Sequence, residues 1–501
     1  MVLGTPIPAY SQCCEIATRH PLRVRQHHPG GSGVIGTLHL TRTPLIALTR
    51  AGRRKYTQPA MNRRTFCSLP LAALPAFSQN DPGAPTAVIE RWKDLRFGMF
   101  IHWGPVSIVG TEISWSRAGE RRGRHDAHTG NVPVEIYDNL YRIFNPVKFN
   151  PDQWVQLAKD AGMKYLVFTC KHHDGFCNFD TQLTDYKITS RRSPYGRDIV
   201  RQVADACRRG GIDWGVYYSQ PDWHHPDYRN GAAHAKYIEY LHGQVRELLT
   251  NYGKTGMWFF DGLDGVAADW DAPRLIRMMR QLQPGLVIND RAGIPADYDT
   301  PEQEIGTFQN NRPWETCATV GQQWAYNPDD ILRPIEECLR GLVCCAIGDG
   351  NLLFNVGPRP DGLIEEPHAA RLREMGEFLK KYGESIYATR GGPFIAPDEK
   401  KRPADEEHFT LAQGNWWGGS THKGDAIYLH ILRWPAETVA LPAIPRRIVR
   451  HSVLTGGSAA VKQSETGIEV RVPAAQRHAV DTIVKLQLDG SAAGIPAIRP
   501  G

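Results

Sequence analysis

Four short apolar runs in this chain each stop at a cluster of polar or aromatic residues. They are Phe97 to Ile101 before His102-Trp103-Gly104, Tyr165 to Thr169 before His172-His173-Asp174-Gly175, Asp213 to Val216 before Tyr217-Tyr218, and Met257 to Phe260 before Asp261-Gly262. Strands that are apolar along their length belong in a parallel sheet covered by helices. In a β/α barrel the ends of such strands converge on one cleft, and the chemistry sits there. The pattern implies a catalytic cleft.

The runs recur, through Phe100, Phe168, Tyr217, Phe260 and Ile288, at the interval that a strand, a helix and two loops occupy. The clearest helix starts at Asn150 as cap, with Pro151 at the first helical position and Gln153 completing a capping box. It buries Trp154, Leu157, Ala158 and Ala161 on one face and stops at Gly162. Others are expected from Asp198 to Gly210, from Tyr237 to Gly253 and from Arg274 to Leu282. Alternation of this kind implies parallel strands with crossover helices, which a barrel and an open doubly wound sheet both satisfy. The barrel is favoured.

The amino terminus reads differently. Met61-Asn62-Arg63-Arg64-Thr65-Phe66, the short apolar stretch Leu69 to Phe77 and the small-residue exit Ala76-Phe77-Ser78 have the outline of a bacterial twin-arginine signal peptide over residues 61–80. Translation is then expected to begin at Met61, leaving 1–60 as a non-native or disordered extension and the protein exported, periplasmic or extracellular. The alternative is a disordered basic tail on a cytoplasmic protein. Beyond residue 80 the chain holds 49 basic and 52 acidic residues, so the formal +6 of the whole sequence becomes about −3. No basic face suggests nucleic acid, and no apolar run is long enough to span a membrane. Seven cysteines remain, at 170, 177, 207, 317, 338, 344 and 345, an odd number without a CxxC pair; buried free thiols are expected.

The fold class expected is α/β, a (β/α)8-type, TIM-like barrel over residues 81–391 followed by a C-terminal β-sandwich over 392–501. The second part rests on short β-type runs at Ala426 to Leu432, Arg447 to Leu454, Gly467 to Val472 and Thr482 to Leu488, separated by turn residues.

Asp261 follows four apolar residues and would emerge from a buried strand. A carboxylate there is costly to desolvate without a task or a partner, although capping the next loop is a second reading. His172 and His173 arrive at the same rim, either as metal ligands or as one ring in a site and one in the loop wall. A metal would want further ligands, and the HxH of a metallohydrolase strand is absent. No metal and no cofactor is expected.

The motifs FGMFIHWG (97–104), AGMKYLVFTCKHHDGF (161–176), FDTQLTDY (179–186), GRDIV (196–200), GVYYS (215–219), WFFDG (258–262), TPEQEI (300–305), WETC (314–317) and NLLFNVGPRPDG (351–362), in this order, resemble the α-L-fucosidases of glycoside hydrolase family 29. The resemblance implies a β/α barrel with a β-sandwich behind it, and a retaining exo-hydrolase that removes terminal α-L-fucose from glycoconjugates through a glycosyl-aspartate. By position it implies Asp261 as nucleophile and Glu302 as acid/base, with Glu304 and Glu315 as alternatives. The two carboxyls of a retaining glycosidase stand about 5–5.5 Å apart.

The resemblance further implies that His102, His172, His173 and Tyr217 bind sugar hydroxyls and that Arg291 lies near the sugar and the carboxyls. Glu112 and Trp115 stand near a Glu-Trp pair of the family, with two residues between them. Phe259, two before the nucleophile, would pack against the sugar's 6-methyl group. The partner implied is a fucosylated glycan. Thr300 to Gln303, Trp314 to Cys317 and Gln323 to Asn327 resemble members acting on branched α1,3/1,4-fucosylated glycans. A catalytically weak or inactive fucose-binding protein and a related retaining glycosidase of different sugar specificity are the other readings. The sequence leaves the oligomeric state open.

Overall fold

Each expected apolar run is a strand of one parallel sheet in the computed structural model, which describes residues 83–122, 130–263, 265–305, 308–395 and 417–499. The strands are β1 (Phe97–Ile101), β2 (Tyr165–Lys171), β3 (Asp213–Tyr218), β4 (Met257–Phe260), β5 (Val287–Ile288), β6 (Glu315–Thr319) and β7 (Asn351–Val356). They pair in the order β5-β4-β3-β2-β1-β7-β6, a curled sheet and not an open doubly wound one. The extension 1–60 and the signal segment 61–80 lie outside the described residues.

The helices are α1 (Thr86–Leu95), α2 (Val134–Tyr137), α3 (Pro151–Asp160), α4 (Ile199–Gly210), α5 (His234–Asn251), α6 (Ala267–Trp270), α7 (Ala272–Leu282), α8 (Ile335–Ile347) and α9 (Glu366–Tyr382). The Asn150 side chain caps α3, accepting the Asp152 and Gln153 N–H groups, and Gly162 follows with a φ of 82°. The buried face is Trp154, Val155, Leu157 and Ala158. Asp198 caps α4 by accepting the Arg201 N–H at 2.8 Å. These caps satisfy N–H groups that the helix itself cannot.

The eighth barrel position departs from the regular pattern. Between β5 and β6 the chain runs as an irregular segment, residues 297–303, joined by parallel bridges of Tyr298 to Asn289, Asp299 to Trp314 and Glu302 to Cys317. It still exchanges backbone hydrogen bonds with β6 and its approach: Asp299 N–H to Pro313 O, Glu315 N–H to Asp299 O, Cys317 N–H to Pro301 O and Gln303 N–H to Cys317 O. Two aspartates and Pro301, which has no N–H to give, explain why no continuous strand forms.

Alternation along the strands sorts the two faces. Trp258 and Phe260 of β4 pack outward with the helices. Met257 and Phe259 face inward with Phe100, Tyr165, Val167, Tyr217, Tyr298, Cys317 and Leu353. Gly98 is needed here, because a Cβ would lie 2.2 Å from the Tyr165 ring. At the opposite end from the cleft, Asp349 takes Arg96 Nη2 at 2.6 Å and Lys93 Nζ at 3.0 Å. All seven cysteines expected to be buried thiols are buried.

The carboxy-terminal strands are β8 (Arg390–Gly391), β9 (Gly418–Lys423), β10 (Ala426–Ile431), β11 (Thr438–Pro442), β12 (Ile448–Val453), β13 (Ala460–Gln463), β14 (Gly467–Arg471) and β15 (Thr482–Leu488). Two antiparallel sheets, β12-β15-β10-β9-β8 and β11-β14-β13, enclose Ile427, Leu429, Val439, Leu441, Val470, Val484 and Leu486. Ala426 and Tyr428 point the other way and join the barrel's outer core.

Glu315 of β6 is buried in the barrel interior, accepts the Tyr165 hydroxyl and has no partner for Oε1 among the described residues. Burial pushes its carboxyl up from 4.5 to about 8, against the pull of the Tyr165 hydrogen bond. The folded chain therefore keeps a proton that the unfolded chain releases, and this group's contribution to stability falls as pH rises from about 4.5 to about 8. At about 1.4 kcal/mol per unit, wild type is expected to lose on the order of 3 kcal/mol more than Glu315→Gln between about pH 5 and 8. Denaturant unfolding at the two pH values checks this, and parallel profiles for the two proteins would refute it.

Candidate active site

The inward alternation of the strands continues past their last hydrogen bonds. Two residues beyond inward-facing Phe100 comes His102, two beyond Tyr217 comes Ser219, two beyond Phe259 comes Asp261, and two beyond Leu353 comes Asn355. Polar groups thereby reach the carboxyl end of the barrel, where a cavity of about 250 Å³ opens. It is lined by Phe100, His102, Trp115, His172, His173, Tyr217, Phe259, Asp261, Leu263, Arg291, Glu302, Cys317 and Trp324. Nine of the residues expected in the site are among them.

Asp261 is the centre of the polar contacts. Its Oδ2 accepts the Tyr217 hydroxyl at 2.7 Å and lies 3.5 Å from His173 Nε2. Its Oδ1 lies 3.2 Å from Arg291 Nη1, and the same nitrogen meets Glu302 Oε2 at 2.8 Å. Because one atom makes both contacts, the two carboxylate oxygens are at most about 6.0 Å apart. Burial works to raise the Asp261 pKa, but His173, Arg291 and the Tyr217 hydroxyl outweigh it and hold the carboxyl below its usual range. Burial likewise works against the Arg291 charge, and Asp261 and Glu302 more than restore it.

Arg291 comes from the short turn after β5 and also donates through Nη2 to the Thr300 carbonyl at 3.1 Å. Asn289 next to it joins the ends of β4 and β5, accepting the Phe260 N–H at 2.8 Å and donating to the Phe260 carbonyl at 2.9 Å. Glu302 sits on the irregular segment, and 42% of its side chain is exposed.

His102 and His172 are buried and neutral. Burial drives His102 down to about 4 and His172 well below its usual value, the latter helped by His173, His102 and Lys171. His102 Nδ1 lies 2.7 Å from Asn355 Oδ1, and the Asn355 amide is oriented by donating to the Trp324 carbonyl at 2.7 Å. His102 therefore carries its proton on Nδ1 and offers Nε2 as an acceptor. His172, His173 and Asp261 place one possible ligand atom each within 4.8 Å of one another. That spacing is loose for a tetrahedral cation, and Arg291 already supplies positive charge to Asp261.

Three expected residues lie elsewhere. Glu112 does not line the cavity. Its carboxylate accepts the Trp324, Ala325 and Ile113 N–H groups at 2.8, 3.1 and 2.9 Å, so it positions the cavity wall from behind. Burial raises it to about 7 against those hydrogen bonds. The residue directly before Trp115 is Ser114, which reaches His172 Nδ1 at 2.6 Å. Glu315 is below the cavity in the barrel interior, and Glu304 is exposed and absent from the lining, its carbonyl accepting the Thr316 hydroxyl at 2.8 Å.

Sequence reasoning missed Ser114, Ser219, Trp324, Cys317 and Asn355 as parts of the site. The last four had a signal, since Ser219, Cys317 and Asn355 share the inward register and Trp324 lies in a quoted motif.

A family model described as alpha-L-fucosidase matches residues 77–384. The solved α-L-fucosidase isoenzyme 1 from Paenibacillus thiaminolyticus is 34% identical, with a TM-score of 0.68 over 80% of this chain and 99% of that one. An α-L-fucosidase from Bacteroides thetaiotaomicron, trapped as a covalent intermediate with 2-fluoro-fucosyl fluoride, is 25% identical, with a TM-score of 0.68 over 81% and 98%. The tissue α-L-fucosidase of Homo sapiens is 28% identical over 382 residues, 72% of this chain and 78% of that protein. Matched across the barrel in sequence and along four fifths of its length in structure, the chain belongs to the α-L-fucosidase family.

Proposed function

We propose that this protein is a retaining exo-α-L-fucosidase in which Asp261 is the nucleophile and Glu302 the acid/base. The observation that carries the reading is the single Arg291 nitrogen in contact with both carboxylates, which keeps Asp261 Oδ1 within about 6.0 Å of Glu302 Oε2. Inverting glycosidases need about 6.5–9.5 Å to seat a water, whereas retaining ones stand near 5–5.5 Å.

In the first step an Asp261 oxygen attacks the anomeric carbon while the protonated Glu302 gives its proton to the departing glycosidic oxygen. The product is a fucosyl ester of Asp261 and a free aglycone. In the second step Glu302, now a carboxylate, takes a proton from water, whose oxygen attacks the same carbon and releases Asp261. Two inversions return the original anomer. His173, Arg291 and the Tyr217 hydroxyl keep Asp261 ionised and therefore nucleophilic in a cavity that would otherwise favour its neutral form.

The cavity volume supports removal of single terminal sugars. At about 250 Å³ it is below the roughly 300–1,000 Å³ of drug-sized sites. His102, His172 and His173 supply polar contacts for ring hydroxyls, and Phe259, Phe100 and Trp324 supply an apolar wall suited to a 6-deoxy sugar's methyl group. The substrate is a fucosylated glycan, and the loops around the leaving-group side set the linkage. The signal read at residues 61–80 would place the enzyme outside the cytoplasm. Among the described residues no helix is long and apolar enough to cross a membrane.

Asp261→Ala is expected to lower fucose release by roughly 10⁴-fold or more on every substrate. Glu302→Ala should cost roughly 10²- to 10⁴-fold on natural α-fucosylated oligosaccharides and far less on an activated aryl α-L-fucoside, whose leaving group needs no proton; equal losses on both would remove Glu302 from the acid role. Tyr217→Phe deletes one hydrogen bond to an ionised group, worth about 1.5–3 kcal/mol, and should lower kcat/KM about 10- to 100-fold. Proton NMR of the first-formed sugar should show the α anomer, and an initial β product would exclude the retaining reading. Fucose bound without any release would indicate a binding protein.

A further inference from the structure

The adjacent rings of His172 and His173 each have a serine hydroxyl 2.6 Å from Nδ1, Ser114 for the first and Ser219 for the second. A contact that short contains a proton, and the two serines differ in whether they have one to give. Ser219 Oγ donates to the Pro221 carbonyl at 2.8 Å, and a carbonyl only accepts. Its single proton is used there, so the proton between Ser219 and His173 belongs to His173 Nδ1.

Ser114 is arranged the other way. Its Oγ accepts the Asp174 N–H at 2.8 Å. Its own N–H donates to the Tyr137 hydroxyl at 2.7 Å, and Tyr137 donates in turn to Asp174 Oδ2 at 2.7 Å. This closed ring of three residues leaves the Ser114 proton with His172 Nδ1 as its acceptor among the described residues. The His172 proton then sits on Nε2. Ser114 is fully buried and holds a φ of 58°, a left-handed conformation that a non-glycine residue keeps only where its surroundings impose it.

We propose that Ser114 and Ser219 are positioning residues that give the two histidines opposite proton placements. His172 presents an Nε2–H donor to the cavity, whereas His173 is fixed with its proton on Nδ1 and pairs with Asp261 through Nε2 as an imidazolium. His102, with its proton committed to Asn355, presents an acceptor. The His102 and His172 rings are 5.5 Å apart and nearly perpendicular. A sugar hydroxyl seated between them accepts from His172 and donates to His102, so the pair selects a substrate that carries a hydroxyl at that place. This deepens the assignment of the cavity to fucose and rests on that assignment for its kinetic part alone.

The decisive measurement is a long-range proton–nitrogen correlation spectrum of the whole protein with ¹⁵N-labelled histidine, assigned by loss of peaks in His172→Gln and His173→Gln. The proposal expects an unprotonated Nδ1 and a protonated Nε2 for His172, and a protonated Nδ1 for His173. A protonated Nδ1 on His172 or a bare Nδ1 on His173 would overturn it. Kinetics give the second reading. Ser114→Gly removes the hydroxyl where glycine adopts the backbone freely, and should raise KM about 10-fold or more with little change in kcat. Ser219→Ala should lower kcat by a similar factor, and Ser219→Thr, which keeps the hydroxyl, should recover most of it. Unchanged kinetics in both variants, each melting as wild type does, would remove the positioning role. The nitrogen pattern does not depend on turnover, so absence of fucose release would count against the fucosidase assignment and not against the proton placements.

Discussion

An ionised Asp261 in a cavity that shuts out water carries a desolvation cost unless a positive charge stands against it. Arg291 removes that cost by standing between Asp261 and Glu302, and its second terminal nitrogen holds the Thr300 carbonyl. The guanidinium therefore fixes the charge state of Asp261, the spacing of the two acids and the path of the segment that carries Glu302. A lysine could neutralise one carboxylate but lacks the fork that makes three contacts at fixed angles.

The segment held in this way is the least regular part of the barrel. A continuous strand at 297–303 would alternate strictly and send neighbouring side chains to opposite faces. Pro301 interrupts the ladder, and Glu302 still bridges Cys317 of β6 while its carboxylate leans over the rim to Arg291. Irregularity at that position serves the site, whereas the regular strands deliver His102, Ser219, Asp261 and Asn355 by register alone.

Four carboxyls in or behind the barrel illustrate how environment divides roles among identical groups. Asp261 is buried but surrounded by His173, Arg291 and Tyr217, and stays ionised. Glu302 is the most exposed of them and has Arg291 as partner. Glu112 is buried against three backbone N–H groups and rises to about 7; it holds Trp324 in the wall. Glu315 is buried with one hydroxyl and rises to about 8. Proximity in sequence to Glu302 said nothing of these differences, because they depend on which atoms surround each group after folding.

The strands β1 to β5, the helix caps and the place of Asp261 just beyond a buried strand were legible because each is local. An apolar run that ends in Asp-Gly, an Asn-Pro cap or a glycine stop needs only its neighbours to be read, and the ordered motifs tied them to a family. The sandwich strands β9, β11 and β13 were not legible: short, polar on one face and separated by turns, they take their pairing from the sheet. That Glu302 and not Glu304 or Glu315 meets Arg291, that Glu112 lies behind the wall and that Ser114 and Ser219 reach the Nδ1 atoms of His172 and His173 were decided only by tertiary structure. Each depends on hydrogen-bond partners brought in from other strands and loops, such as Ser114 from the loop after β1 and Ser219 from the end of β3. The sequence by itself determined which residue types reach the carboxyl end of the barrel. Folding decided which of them touch, because contact across a barrel depends on register and closure and not on distance along the chain.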